Sequence, residues 1–190
     1  IVRRVISARR DRLFIVDRVV SQSNRRPDVT VACNNSLRRL GTDRIDLYLL
    51  HGVDASIPLA KTIAEFDALK GSGKIRHWGV SNLDLPIMLE LLRLPDAASL
   101  QACEAPYSLR HRAAEFELIP LCREYGIPII ACSPLEQGGL AGERRLSRVA
   151  GRHQVNAAQI ALAWLLHQDR IVAIPKAGRK YHVYENRAAL

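Results

Sequence analysis

The sequence predicts an α/β fold in which helices cover a parallel sheet. Six short apolar segments alternate with amphipathic stretches along the 190 residues. Strands that read as near-continuous apolar runs and are joined by helical crossovers are typical of parallel sheets. This alternation is compatible with two architectures, a doubly wound sheet and a barrel. The turn G-x-G-x-x-G, which marks dinucleotide-binding sheets of the doubly wound kind, is absent from the sequence, and its absence favours the barrel.

The first half of the chain supplies three of the predicted strands. The opening residues IVRRVISARRDRLF read as the tail of an amphipathic helix, which indicates that the chain begins inside a larger fold. A strand is predicted over 13–16 and a helix over 28–40. A strand over 45–50 and a helix over 59–70 follow, and Gly71 and Gly73 close that helix. The third strand is predicted over 75–80, with a helix over 85–94 after it.

The second half repeats the alternation. A short strand is predicted over 100–104, then a helix over 113–125 that Gly126 ends. The segment 127–132 begins with β-branched residues and predicts the fifth strand. After a glycine-bearing loop, one long helix is predicted over 146–167. The last strand is expected over 171–174, and a final helix over 182–190.

Composition narrows the class of protein. With 48% hydrophobic residues, the chain suits a single soluble domain over residues 1–190. No apolar run approaches the about 18 residues that a membrane span needs, and the opening residues lack the features of a signal peptide. The four cysteines lie far apart without a C-x-x-C pair, which predicts a reduced cytoplasmic protein and no metal site.

The net charge of +9 comes mostly from arginine pairs that are scattered among acidic residues. A nucleic-acid-binding protein would more often show one basic stripe with aromatic side chains for stacking, so nucleic acid is not an expected partner. A solvated basic surface is one interpretation, and attraction of a phosphorylated small molecule is the other.

Polar residues follow the predicted strands at their C-terminal ends, where (β/α)₈ barrels carry their chemistry. These residues are His51, Ser81, Asn82, Gln101, Glu104, Ser133 and Lys176. Taken alone, His51 could be a core residue, a metal ligand or part of an active site. Because Leu47, Leu49 and His51 alternate along their strand, His51 reaches the mouth of a barrel if that face lines it. The series of polar strand ends predicts an active site there.

Four segments resemble the aldo-keto reductases, which are NADPH-dependent carbonyl reductases on a (β/α)₈ barrel of the TIM type. The segments are SLRRLGTDRIDLYLLH (36–51), GKIRHWGVSN (73–82), ELIPLCREYGIPIIACSPL (117–135) and IPKAGRKYHVYENRAAL (174–190). The resemblance covers nearly the whole chain. It implies an incomplete barrel of about six β/α units, in which the first two strands of the family are missing.

The resemblance implies that NADP(H) lies extended across the top of the barrel. It assigns the nicotinamide carboxamide, a group with both donors and acceptors, to Ser81, Asn82 and Gln101. It assigns the pyrophosphate and ribose to Ser133, Pro134 and Leu135. The 2′-phosphate and the adenine fall on Lys176, Ala177, His182, Glu185 and Asn186. Where the family commonly has a tyrosine that stacks on the nicotinamide, this chain has Cys132.

The catalytic set of the family is an aspartate, a tyrosine, a lysine and a histidine. His51 takes the position of the histidine, and Arg18 takes that of the lysine. Arginine is planar and always protonated, so the replacement is not conservative. The aspartate and the tyrosine would precede Ile1, and the resemblance therefore predicts weak or no turnover by this chain alone. His182 stands where an arginine often binds the 2′-phosphate, which weakens the expected preference for NADPH over NADH.

The function expected from the resemblance is NADP(H)-dependent reduction of aldehydes or ketones to alcohols by hydride transfer, with NAD(H) as the alternative cofactor. The alternative function is that of a cofactor-binding remnant or a non-catalytic partner. The expected partner is a small carbonyl substrate, with no membrane involved. Because a barrel without two strands has two open edges, a second copy of the chain is also an expected partner.

Overall fold

The computed structural model describes residues 2–20 and 29–190. Its helices are α1 (Val2–Arg9), α2 (Val29–Leu40), α3 (Leu59–Gly71), α4 (Leu85–Leu92), α5 (Leu118–Glu124), α6 (Arg144–His153), α7 (Ala157–Leu166) and α8 (Lys180–Arg187). Its strands are β1 (Val16–Val20), β2 (Ile45–His51), β3 (Ile75–Ser81), β4 (Leu100–Pro106), β5 (Ile129–Cys132) and β6 (Ile171–Ala173). Two compact units, Ile1–Ala102 and Cys103–Leu190, divide the chain.

The strands are parallel and follow each other in the sheet in chain order. In the first unit, Arg18 of β1 lies beside Leu49 of β2, and His51 of β2 lies beside Ser81 of β3. In the second unit, β5 pairs with β4 on one side and with β6 on the other. A parallel sheet with a helical crossover after each strand is the predicted α/β architecture.

The core of the first unit lies between β2, β3 and α3. Residues 45–50 are all buried. On one face of the sheet the ring of Phe66 packs between Tyr48 and Trp78, with centroids 5.6 Å and 5.7 Å away. The indole N–H of Trp78 donates to the hydroxyl of Ser99 at 2.7 Å. Aromatic packing with a satisfied indole N–H is a strongly stabilising arrangement, and it fixes α3 on β2 and β3.

A buried carboxylate holds the beginning of the first unit together. Asp46 of β2 is fully buried, and its Oδ2 lies 2.8 Å from Nη2 of Arg10. The same oxygen accepts the backbone N–H of Ile15 at 2.8 Å, and Arg76 Nη1 lies 3.0 Å from Oδ1. A buried charge is tolerated only when it is paired and hydrogen-bonded in this way. The carboxylate therefore ties the segment before β1 to β2 and β3.

The core of the second unit includes a cluster beneath α6 and α7. Its members are Leu140, Leu146, Ala157 and Ala161. The small alanines on α7 leave room for the two leucines of the other segments, so the helix approaches them closely. Cys103 of β4 and Cys122 of α5 are also buried, as the sequence predicts for small apolar side chains of the core.

The long helix predicted over 146–167 is wrong, because two helices occupy this stretch. Gln154 has a φ of 56° and ends α6 in the left-handed conformation. Asn156 then caps α7: its side chain accepts the N–H of Gln159, whose own side chain accepts the N–H of Asn156. This reciprocal capping box is a helix start signal that is visible in the sequence. Apolar residues at helical spacing continue on both sides of the capping box, so the sequence pattern predicted a single helix.

Two other predicted elements have different bounds. The first strand is predicted over 13–16 but begins at Val16, because the N–H of Ile15 is bonded to the side chain of Asp46. The helix predicted over 113–125 is a short 3₁₀ turn at Ala113–Glu115 followed by α5. Pro120 accounts for the break, since proline fits only the first turn of an α-helix. The predicted start of α2 at residue 28 lies outside the described residues, and the remaining elements match their predictions closely.

Candidate active site

The candidate site in the first unit is built where β2 and β3 end side by side. His51 is the last residue of β2 and Ser81 is the last residue of β3. Nδ1 of His51 lies 2.9 Å from Oγ of Ser81, within hydrogen-bonding distance. Ser81 is only 1% exposed, whereas His51 is half-buried. The N–H of Gly52 donates to the carbonyl of Ser81 at 3.1 Å, so the backbone holds the two side chains together.

The two faces of β2 separate His51 from the tyrosine of the same strand. Leu47, Leu49 and His51 alternate on one face, while Tyr48 lies on the other, against Phe66. Arg18 is in register with Leu49 and therefore belongs to the face of His51. Burial raises the pKa of Tyr48 well above its ordinary value. Arg18 therefore lies on the same face of the sheet as His51, whereas Tyr48 lies on the opposite face and contributes no group to the candidate site.

Asn82 directly follows β3 and has a φ of 54°. In the second unit, Ser133 directly follows β5 and has a φ of 52°. Left-handed backbone at residues other than glycine is uncommon and concentrates at functional sites. Both residues were predicted from the sequence to contact the cofactor, and both begin the loop at the C-terminal end of a strand.

Gln101 does not lie at the C-terminal end of β4. It is the second residue of that strand, which continues to Pro106. Its side chain is exposed. The sequence interpretation that grouped Gln101 with the strand ends was wrong, because Gln101 is the second residue both of the strand predicted over 100–104 and of the observed β4. Glu104 lies nearer the C-terminal end of β4 and is 5% exposed. Sequence reasoning noted Glu104 among the polar strand residues but assigned it no contact.

The second unit contains a cavity of about 620 Å³. Its wall includes the loop after β5, the segment after β6, Ala158 of α7 and residues of α8. The sequence-predicted residues that line it are Ser133, Pro134, Leu135, Lys176, His182, Glu185 and Asn186. Ala177 and Cys132 adjoin lining residues in the chain but do not line the cavity. The structure thus brings together seven residues that are up to 53 positions apart, from 133 to 186.

The cavity wall carries one lysine, Lys176, and one carboxylate, Glu185. Lys176 lines it, and His182 Nδ1 lies 3.2 Å from Oε2 of Glu185 one helical turn away. The ring of His182 is also 4.0 Å from that of Tyr181, measured between centroids. No side chain caps the N-terminus of α8 among the described residues, so its first backbone N–H groups add to the positive potential.

Sequence reasoning missed the turn that shapes the loop after β5. Glu136 and Gln137 have φ values of 51° and 54°, and Gln137 and Gly138 line the cavity. The hydroxyl of Ser108, which is fully buried, donates to the carboxylate of Glu136. The sequence E-Q-G-G at 136–139 was the available signal, because paired glycines mark a turn.

A second polar cluster follows β4. The hydroxyl of Tyr107 donates to Glu115 at 2.7 Å, and Arg112 binds the same carboxylate through two nitrogens at 2.8 Å each. Burial, and then the bond to Glu115, raises the pKa of Tyr107, while the Arg112 guanidinium lowers the pKa of the Glu115 carboxyl. Because these groups satisfy one another, the cluster stabilises the loop after β4.

Comparison with known proteins identifies the family. The family model described as "Aldo/keto reductase family" matches residues 1–190. The chain belongs to the aldo-keto reductase family. It is 37% identical over 195 residues to methylglyoxal reductase YeaE of Escherichia coli K12, and it spans 68% of that protein. It is 35% identical to the NADH-specific methylglyoxal reductase of the same organism, with 82% of the chain covering 57% of that protein.

Solved structures agree with the family assignment. The chain superimposes on an aldo/keto reductase from Klebsiella pneumoniae in complex with NADP and acetate, with a TM-score of 0.93 and 37% identity. The match covers 99% of this chain and 68% of the Klebsiella chain. A thermostable aldo-keto reductase, Tm1743, in complex with epalrestat gives a TM-score of 0.89 at 36% identity, over 70% of its length.

These comparisons confirm the predicted fold and the predicted class of enzyme. The fold is an incomplete (β/α)₈ barrel of six parallel strands. The family chemistry is that of an NADP(H)-dependent oxidoreductase, and one relative is NADH-specific.

Within residues 2–20 and 29–190, no helix is long and apolar enough to cross a membrane. The same residues hold no group of three or more His, Cys, Asp or Glu side chains suited to a metal ion.

Proposed function

We propose that this aldo-keto reductase chain takes part in the NADP(H)-dependent reduction of a small aldehyde or ketone to an alcohol. The observation that carries the proposal is the cavity of about 620 Å³ in the second unit. Seven of the residues that the family resemblance assigns to the cofactor line that one cavity, although they come from three separate segments of the chain. The first unit contributes the pair His51–Ser81 at two strand ends.

The residues present fit the cofactor. The cavity volume lies inside the range of about 300–1,000 Å³ that is usual for small-molecule sites. Lys176 and the N-terminus of α8 offer positive charge for a phosphate, and Asn186 offers an amide for a polar ring edge. We assign the adenine and 2′-phosphate end of NADP(H) to this cavity, with Ser133 and Leu135 on the side of the pyrophosphate.

His51 is the group that we assign to the substrate. NADPH, when bound, supplies the hydride for the carbonyl carbon. Negative charge then develops on the carbonyl oxygen, and a hydrogen-bond donor at that oxygen lowers the barrier. His51 is half-buried, and the bond of Nδ1 to Ser81 leaves Nε2 for this purpose. Arg18, on the same face of the sheet, adds a permanent positive charge.

Binding of the cofactor without turnover is the second candidate function. Tyr48 is the only tyrosine in residues 1–102, and its ring is buried on the face opposite His51. The general acid of the family therefore has no counterpart in the first unit of this chain. Arginine is also not a conservative replacement for the family's lysine, because an arginine side chain does not accept a proton as a lysine of lowered pKa does. Both facts favour a chain that binds NADP(H) and reduces its carbonyl substrate slowly.

The substrate class that we propose is a small dicarbonyl compound. The supporting observation is the names of three relatives, namely two methylglyoxal reductases and one glyoxal reductase, at 34–37% identity. A short substrate with two adjacent carbonyl groups needs few contacts beyond a donor at the reacting oxygen. Methylglyoxal is thus the first compound to test.

Consumption of NADPH in the presence of methylglyoxal tests the proposal. We expect His51→Gln to lower the rate by about 100-fold, because a positioned donor or acid contributes on the order of 10² to 10⁴ in rate. His153→Gln, at the exposed end of α6, should leave the rate unchanged. Saturable NADPH binding without consumption would support the second candidate. A folded chain that neither binds nor consumes NADPH would contradict both.

We further propose a cytoplasmic location and association with a second copy of the chain. Cys33, Cys103, Cys122 and Cys132 form no disulfide, which supports a reducing compartment. The two edge strands of the sheet carry exposed apolar residues, namely Val16 and Val20 on β1 and Val172 on β6. Unpaired edges with apolar side chains favour pairing with another chain. Sedimentation velocity over a range of concentrations should show a dimer, and a monomer throughout would contradict the proposal.

A further inference from the structure

The hydroxyl of Ser108 makes a set of hydrogen bonds that fixes the direction in which it donates. Ser108 lies in the loop after β4 and is fully buried. Its Oγ accepts the N–H of Arg110 at 3.2 Å and the N–H of His111 at 2.9 Å. These two bonds occupy both lone pairs of the oxygen. The one hydrogen is left for the carboxylate of Glu136.

Glu136 belongs to the loop that forms the cavity wall, but its side chain is held outside the cavity. Within residues 133–138, all of which the structure describes, every residue except Glu136 lines the cavity. The turn has left-handed backbone at Glu136, Gln137 and Gly138, with φ values of 51°, 54° and 97°. Such backbone is uncommon at residues other than glycine and persists only where neighbouring contacts hold it. The bond to Ser108 is a contact of this kind.

Two further contacts join the segment after β4 to the loop after β5. Leu109 packs against the apolar cluster that contains Leu140. Nη2 of Arg110 lies 3.0 Å from Oε2 of Glu143. This ion pair is largely exposed and contributes little. The buried bond from Ser108 to a carboxylate is therefore the polar contact on which the turn most depends.

We propose that Ser108 is a positioning residue that keeps the Glu136 carboxylate out of the cofactor cavity. The proposal rests on the proposed function, because the pyrophosphate of NADP(H) is the group that a carboxylate at this place would repel. The pyrophosphate is assigned to the side of Ser133 and Leu135, and Glu136 is the next residue along the chain. Like charges that are brought together in a binding site cost affinity. The bond to Ser108 allows Glu136 to form the turn without presenting its charge to the cofactor.

Titration of the full chain with NADPH tests the proposal. Ser108→Ala frees a charged carboxylate, and we expect the Kd for NADPH to rise by about tenfold. The double variant Ser108→Ala, Glu136→Gln frees a neutral side chain instead, and most of the affinity should return. A purely structural role of Ser108 predicts no recovery, because the second substitution does not restore the lost bond. Ser147→Ala, which removes an exposed hydroxyl on α6, should bind NADPH as the wild type does.

Hydrogen exchange of the chain without cofactor is a second measurement, and it requires neither binding nor turnover. The amides of Gly138, Gly139 and Ala141 donate to carbonyls within the turn. Their exchange should become about tenfold faster in Ser108→Ala, because a bond to a charged group no longer holds the turn closed. Glu136→Ala removes the same bond from the side of the loop and should also accelerate exchange. It takes the place of Ser108→Ala if that variant does not fold.

Three results would overturn the proposal. One is NADPH binding by Ser108→Ala that equals binding by the wild type. Another is a double variant that binds no better than Ser108→Ala, which would show that the freed charge is not the cause. The third is unchanged exchange in Ser108→Ala and Glu136→Ala. These results leave wild-type binding intact, whereas a wild-type chain that binds no NADPH would overturn the proposed function together with this proposal.

Discussion

Single side chains determine the charge that the cavity of the second unit offers to a phosphate. His182 lines that cavity beside Glu185. A histidine is charged only when it is protonated, whereas an arginine is always charged and offers a bidentate donor. If the 2′-phosphate binds where we propose, this difference predicts that His182 sets the preference between the two nicotinamide cofactors.

We expect His182→Arg to strengthen NADPH binding by about tenfold and to leave NADH binding unchanged. A new charge-assisted hydrogen bond to the 2′-phosphate is worth about 1.5 kcal/mol or more. Parallel titrations with the two cofactors measure the effect, and His153→Arg on α6 controls for added charge. An equal gain for both cofactors would contradict the assignment of the 2′-phosphate to this residue.

Asp46 is the residue on which the first unit most depends for stability. Its buried carboxylate contacts Arg10, Arg76 and the N–H of Ile15. We expect Asp46→Asn to lower the free energy of unfolding by about 3 kcal/mol or more, because the largely covered guanidinium of Arg10 then lacks the buried carboxylate that balances its charge. Urea unfolding measures this change. Asp43→Asn should cost less than about 1 kcal/mol, since the Asp43 carboxylate is exposed. Equal losses in the two variants would contradict the role of Asp46.

At the scale of elements, β3 and β4 approach each other at a glycine. A Cβ on Gly79 would lie 2.6 Å from the carbonyl oxygen of Ala102 and 2.7 Å from Cδ2 of Leu49. Neither neighbour can retreat freely, because one is strand backbone and the other is fully buried. The close pairing of these strands therefore requires glycine at this position.

We predict that Gly79→Ala destabilises the chain by about 1–3 kcal/mol, the usual cost of overpacking. Gly71→Ala at the end of α3 is the matched control, because nothing lies within 4 Å of its added Cβ. The control should be neutral or slightly stabilising, since alanine restricts the unfolded chain. Thermal and urea unfolding compare the two variants. If Gly79→Ala were as stable as the control, the strands would not be packed as described.

The elements show how far the sequence alone predicts this molecule. The positions of β2, β3 and α3 follow from apolar runs and glycine caps, because those signals are local. The break between α6 and α7 was also encoded locally, by Asn156 and Gln159, but the continuous apolar spacing around it favoured one helix. The shifted start of β1 was not predictable, because it depends on the distant carboxylate of Asp46.

For the candidate site, too, some features could be predicted from the sequence and others could not. The proposed cofactor residues of the second unit were identified from the family motifs, and seven of them line one cavity. Gln101 was grouped with the C-terminal strand ends although it is the second residue of β4, at the N-terminal end of the strand. The bond between His51 and Ser81 needs the β2–β3 register, which no local pattern in the sequence specifies.

At the scale of the whole molecule, cysteine reactivity reports on packing and on the cofactor together. Cys33, Cys103 and Cys122 are buried and Cys132 is partly exposed. Burial raises the pKa of Cys33 to about 11, so that its thiol stays protonated and unreactive at neutral pH. Cys132 follows Ala131 at the end of β5, next to the proposed cofactor residue Ser133.

We expect one thiol per native chain to react rapidly with iodoacetamide, and NADPH to slow this reaction. Peptide mass mapping should locate the label at Cys132, and Cys132→Ser should abolish the fast phase. The other three thiols should react only after denaturation. Rapid labelling of a second cysteine would contradict the packing of the core, and labelling of Cys132 that NADPH does not affect would contradict its place beside the cofactor.

Calorimetric titration of the purified chain with NADPH tests the central claim most directly, with Lys176→Met and Lys61→Met measured alongside. The account predicts one saturable site per chain with a Kd on the order of micromolar, typical of cofactor and substrate sites. Lys176→Met should weaken binding by about tenfold, because a charge-assisted contact to phosphate is lost. Lys61→Met, on the exposed face of α3, should bind as the wild type does. A folded chain that shows no saturable binding, or that binds equally well without Lys176, would contradict the assignment of the cavity to NADP(H).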